Sequence, residues 1–152
     1  MNKITRLKSA TDIMSNWPLL LQGMRELNSP KAANRRFTTN QFLNLLYDVV
    51  RLPENEGLVL VSHSPGGVPL GFMVARADPF ICEDGEVLMV IDFTNEVDPA
   101  VPKELQGEVD VWAKRHRYVR LITLCRRLSK AATRRFRGLG YEYGTALYEK
   151  PL

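Results

Sequence analysis

The chain has 152 residues, 45% of them apolar and 25% charged, and a net charge of +4. That size and balance suit one globular domain with one core, read here as a single domain over 1–152. They exclude a disordered tail, a disulfide-stapled miniprotein and a membrane protein: no apolar run approaches the roughly 20 residues of a span, and Pro18-Leu19-Leu20-Leu21 is broken at once by Gln22.

The charged start Met1-Asn2-Lys3-Ile4-Thr5-Arg6 is not followed by an apolar stretch, so no signal peptide is read and a cytoplasmic location is expected. Cys82 and Cys125 are too few and too far apart for a disulfide framework and read as reduced thiols. The charge is unevenly spread. Residues 114–150 hold eleven Lys/Arg against Glu142 and Glu149, whereas residues 1–113 hold ten Lys/Arg against fifteen Asp/Glu. Such a dipole suits an anionic partner for the basic segment 114–137, or internal pairing with the acidic part of the same domain.

In chain order, Ile4 to Ser9 alternates as a short first strand. Thr11 is the expected N-cap of a helix carrying Ile13, Trp17, Leu20, Leu21, Met24 and Leu27, with a break at Pro18. Thr38 and Gln41 form a capping box ahead of Phe42, Leu45, Leu46, Val49 and Val50 on one apolar face, which Pro53 ends. Gly57 to His63 and Val68 to Ala75 are β-rich, and Ser64-Pro65-Gly66-Gly67 between them predicts a hairpin. Pro79 to Gly85 loops out. Glu86 to Phe93 is nearly continuously apolar, hence a strand covered on both faces. After a loop with Pro99 and Pro102, a helix is expected from Leu105 to His116, then a strand from Tyr118 to Cys125. Ser129 caps a short helix that stops at Gly138 or Gly140, and Tyr141 to Glu149 closes the chain as a strand. The fold class is α/β, an α+β mixed sheet with helices on both faces, in the order β-α-α-β-β-β-α-β-α-β.

That order resembles the Gcn5-related N-acetyltransferase (GNAT) superfamily. The sharpest local match runs from Ser129 through Ala132, Phe136 and Gly140 to Tyr141, which resembles the family's fourth-helix signature Asn-x-x-Ala-x-x-x-Tyr-x-x-x-Gly-Phe. Pro69-Leu70-Gly71-Phe72-Met73 resembles its Gly-containing third strand. The resemblance implies acetyl-CoA as cofactor, its pantetheine lying between splayed fourth and fifth strands against Ile91, Asp92, Phe93 and Thr94. It also implies a pyrophosphate at the start of the third helix, near Lys103, with Ser129, Lys130 and Arg134 of the last helix facing phosphates. The resemblance makes Asp92, the carboxylate that interrupts the fourth strand, the general base; the family's tyrosine position holds Phe136, which has no proton to give, so Tyr141 or Tyr143 is the candidate acid.

The family builds its pyrophosphate turn as Arg/Gln-x-x-Gly-x-Gly/Ala. Here Thr94 to Gly107 has no glycine before Gly107, and it contains Pro99, Pro102, Glu96, Asp98 and Glu104. At an effective dielectric of 20, a carboxylate roughly 6 Å from a phosphate costs about 3 kcal/mol. Two functions therefore stand side by side: a divergent acetyl-CoA-dependent N-acetyltransferase with a degenerate pyrophosphate loop, and a non-catalytic binding or assembly protein, as in small GNAT-like proteins of bacteriophage particles. A basic nucleic-acid-binding module comes third. The partner of the basic segment is then the CoA phosphates, an acidic protein surface or nucleic acid. Asp92 has a structural reading too, as partner of a base such as Arg120 or Arg126. His63 and His116 have no neighbours at ligand spacing, so no metal is expected, and Gly66-Gly67 lacks the Lys-Ser/Thr of a phosphate loop.

Overall fold

The computed structural model describes residues 1–27, 37–94, 98–124, 130–144 and 150–151. Five strands form one sheet in the order β1 (Lys3–Arg6), β2 (Gly57–His63), β3 (Pro69–Arg76), β4 (Glu86–Thr94) and β5 (Arg120–Thr123). The first four pair antiparallel and β5 joins β4 in parallel. Helices α1 (Ala10–Ser15), α2 (Trp17–Leu27) and α3 (Thr39–Arg51) cover one face. Helix α4 (Ala100–Arg115) covers the other, and α5 (Lys130–Gly138) reaches the end of β4 on that same side.

The helix starts follow side-chain chemistry. The cap of α1 is Ser9, not the expected Thr11: its hydroxyl accepts the Asp12 N–H while the Asp12 carboxylate accepts the Lys8 N–H, so the helix is capped two residues earlier. Pro18 sits in the first turn of α2, where its missing N–H costs nothing. The Thr38–Gln41 capping box is formed in both directions. The hairpin between β2 and β3 turns on Gly67, whose φ of 82° is the left-handed region that glycine enters freely. Helix α4 begins at Ala100 rather than Leu105, because Pro102 too falls within the first turn. Strand β1 is shorter than the alternation suggested, and β5 covers only Arg120–Thr123 of the expected Tyr118 to Cys125. Of the predicted last strand, Tyr141 to Gly144 is not in a strand and the remainder lies outside the described residues, as do Ser129 and Cys125.

Strand β4 is apolar on both faces for a reason its sequence hides. Val74 pairs with Ile91 but Ala75 pairs with Met89, leaving Val90 as the extra residue of a β-bulge. The bulge exchanges the faces. Val87 and Met89 join the core under α4, whereas Ile91 and Phe93 join the core under α1–α3. Asp92, opposite Met73, is thereby turned to the α4–α5 side instead of into the aromatic core.

Candidate functional site

The ladder between β4 and β5 runs from Glu86↔Arg120 to Met89↔Thr123, the whole of β5 and only the start of β4. The last tie is the Thr123 hydroxyl, which donates to the Met89 carbonyl at 3.4 Å. Strand β4 continues for five more residues, Val90 to Thr94, bonded to β3 alone among the described residues. That stretch begins at the bulge, where β4 gains local twist. Among the described residues, the N–H and C=O groups of β4 on that side have no strand partner beyond Met89. Gly71 fits β3 against the end of this segment: a Cβ there would lie 2.5 Å from the Phe93 carbonyl oxygen. Ile91, Phe93 and Thr94 lie in this segment of β4. The side chains of Ile91 and Phe93, however, belong to the core under α1–α3, which leaves their backbone as the part a ligand could reach.

Asp92 is the polar centre of the α4–α5 side. Its side chain is 8% exposed and pairs with Arg135 of α5, Nη2 to Oδ1 at 3.2 Å. The structural partner is therefore Arg135 and not Arg120, which pairs with Glu86 at 3.1 Å; Arg126 lies outside the described residues. Tyr141 stands close enough to feel that charge. Burial first, and then Asp92, push its phenol far above the ordinary tyrosine range, partly offset by its hydrogen bond to Gln106. Its hydroxyl donates to Gln106 Oε1 at 3.3 Å, and Gln106 Nε2 donates to Asp110 at 2.9 Å. Gln106, Asp110 and Arg135 escaped the sequence reading. Gln106 left a signal, an amide one position after Leu105 on the stripe of α4 that buries Val109 and Ala113.

The helix signature has a structural explanation. Gly140, at φ 94°, ends α5 with Gly140 N–H to Arg137 O and Tyr141 N–H to Phe136 O, and the Phe136 and Tyr141 rings meet edge-on at 5.9 Å. This is a Schellman stop with its apolar clasp. Phe136, Gly140 and Tyr141 therefore keep their spacing to close a helix, whatever chemistry follows.

Three solved structures share this architecture. An aminoglycoside acetyltransferase, AAC(6')-Iy, in complex with a bisubstrate analogue of CoA matches with a TM-score of 0.70 at 14% identity, over 100% of this chain and 99% of that one. AAC(6')-Ih from Acinetobacter baumannii matches at 0.74 and 14%, over 100% and 99%. Glucosamine-6-phosphate N-acetyltransferase from Arabidopsis thaliana matches at 0.69 and 12%, over 99% and 98%. The chain has the GNAT fold. No protein-family model matches the sequence, and no curated protein matches it either.

On this fold the two halves of a CoA thioester meet different surroundings. The open edge of β4 fits a pantetheine, whose amides need strand-like partners. The described start of α4, from Asp98 on, offers few free N–H groups to a diphosphate. Pro99 and Pro102 have no N–H, the Ala100 N–H is held by the Asp98 carboxylate at 2.9 Å, and the Val101 N–H goes to the Asp98 carbonyl at 3.2 Å. Lys103 is exposed on α4 and forms no ion pair among the described residues. On α5, Lys130 and Arg134 are likewise exposed and unpaired among those residues. Also among the described residues, no cluster of His, Cys, Asp or Glu could hold a metal, and no helix is long and apolar enough to cross a membrane.

Proposed function

We propose that this chain is a divergent N-acyltransferase, most simply an N-acetyltransferase, that lays the pantetheine arm of an acyl thioester along β4 beyond Met89. The observation that carries this reading is the early end of the β4–β5 ladder at Met89↔Thr123, next to the Val90 bulge. The backbone of Val90 to Thr94, unpaired on the β5 side among the described residues, serves as the strand neighbour for the arm. An amine then attacks the thioester carbonyl, a C–N bond forms and the C–S bond breaks with its electron pair on sulfur. The amine proton passes to a base and the thiolate takes a proton. Asp92 is the base nearest the slot, positioned by Arg135. Tyr141 is a poor proton donor, since its hydroxyl is engaged by Gln106 and its phenol holds its proton tightly. Solvent then serves the thiolate.

The test is a thermal melt with acetyl-pantetheine and, separately, with acetyl-CoA. A ligand at 100 times its Kd stabilises by about 2.7 kcal/mol, several degrees for a domain of this size. An unchanged Tm with both would remove the reading. A second reading, a non-catalytic scaffold on the same fold, draws on the self-capped start of α4; it expects binding without turnover for every amine offered. No feature described above points to a phage particle, and that variant is not carried further.

A further inference from the structure

The positive charge that a diphosphate would need is present in this chain, but on a different surface. Lys130, Arg134 and Arg137 follow one another at i, i+4 and i+7 along α5 and are all exposed. The opposite face of the helix carries buried Ala132, with Arg135 and Phe136 half-buried beside it. The cationic stripe therefore points away from the sheet, while Arg135, bound to Asp92, fixes the helix beside the slot. None of the three stripe residues meets a carboxylate among the described residues. A small ligand lying inside the slot cannot use charges that face outward; a body standing outside it can. At the start of α4, the Ala100 N–H that could face an anion is already taken by the protein's own Asp98.

We infer that the acyl donor is a pantetheine thioester carried on an acidic protein, which docks on the α5 stripe and threads its arm along β4. This rests on the acyl-transfer reading above and names its donor. A carrier-borne arm brings a single phosphodiester in place of the diphosphate and adenosine phosphate of CoA. The self-capped α4 start then excludes nothing the donor needs. Charge complementarity supplies the docking. The transfer is balanced as before: the acyl carbon exchanges sulfur for the acceptor nitrogen, and the thiol stays on the carrier.

The experiment measures dissociation constants of the full chain for four probes: acetyl-pantetheine, acetyl-CoA, an acetyl-loaded acyl carrier protein and a DNA duplex. The expected order has acetyl-CoA within about threefold of acetyl-pantetheine and the loaded carrier about tenfold tighter than either. The carrier's advantage is expected to fall with salt and to vanish in Lys130→Glu/Arg134→Glu, an exposed pair whose folding circular dichroism checks. Acetyl-CoA binding about tenfold or more above acetyl-pantetheine would show that the adenosine half is recognised and would overturn the inference. So would a carrier no tighter than the free arm, a carrier affinity unmoved by the double substitution, or displacement of the carrier by DNA. Failure of every pantetheine probe to bind overturns the acyl-transfer reading itself.

Discussion

The two faces of strand β4 differ in kind. Toward α1–α3, Ile91 and Phe93 enter an apolar core in which Trp17, Phe42, Phe72 and Phe93 follow each other at ring distances of 5.5 to 6.3 Å. Toward α4 and α5, the same stretch presents Asp92 to Arg135 and its charge to Tyr141, whose hydroxyl is held by Gln106 and through it linked to Asp110. A single extra residue, Val90, separates the two uses, since it decides which face each following side chain takes. The closed face holds the strand still, and the polar face and open edge are where chemistry can happen.

Substitutions should respect that division. Phe72→Ala removes the centre of the aromatic chain and is expected to cost about 3–5 kcal/mol, read as a large fall in the urea midpoint with little change in slope. Gly23→Ala acts on the same contact from the helix side, because its Cβ would lie 2.2 Å from the Phe72 ring. An overpacking cost of about 1–3 kcal/mol is expected. If either substitution left stability untouched, the closed face would not be the scaffold described here.

On the polar face the expected order is reversed between stability and turnover. Arg135→Ala leaves a nearly buried carboxylate without its partner; because Arg135 is 36% exposed and partly screened, the cost is set at about 1–2 kcal/mol. Asp92→Asn keeps shape and a hydrogen-bond acceptor, so its stability loss should be smaller, while turnover falls more than donor binding does. Equal activity in Asp92→Asn would clear Asp92 of a chemical role and leave it a tether for α5.

Much of this architecture is legible in the residues. Capping at Thr38–Gln41, the Gly66–Gly67 turn and the Gly140 stop are local devices with one mechanism each, and all three occur. Two features hide because they depend on partners distant in sequence. The bulge at Val90 is a matter of register between β3 and β4, and an apolar run reads the same with or without it. The Asp92–Arg135 pair joins residues 43 positions apart, and nothing in either segment marks the other. The early helix start at Ala100 was masked by two prolines that look like loop residues until a first turn is allowed to contain them.

Tyr141 offers the finest test of the polar face. In the unfolded chain its phenol ionises near pH 10, whereas in the folded protein burial and then the charge of Asp92 hold the proton to higher pH. Between those values the folded state binds more protons than the unfolded one. The stability this group contributes is therefore complete below about pH 10 and is lost as pH rises toward the folded value. Tyr118 is raised in the same direction, by burial and then by Glu56 and Cys82, so wild-type stability should decline on the alkaline side through both phenols. Tyr141→Phe is expected to melt a few degrees lower at neutral pH, from loss of the hydrogen bond to Gln106. Its Tm should then fall less steeply than wild type between about pH 9 and 11, since one of the two protons is no longer at stake. Parallel Tm curves would place Tyr141 away from Asp92 and in water. The polar face would then reduce to a surface ion pair between Asp92 and Arg135.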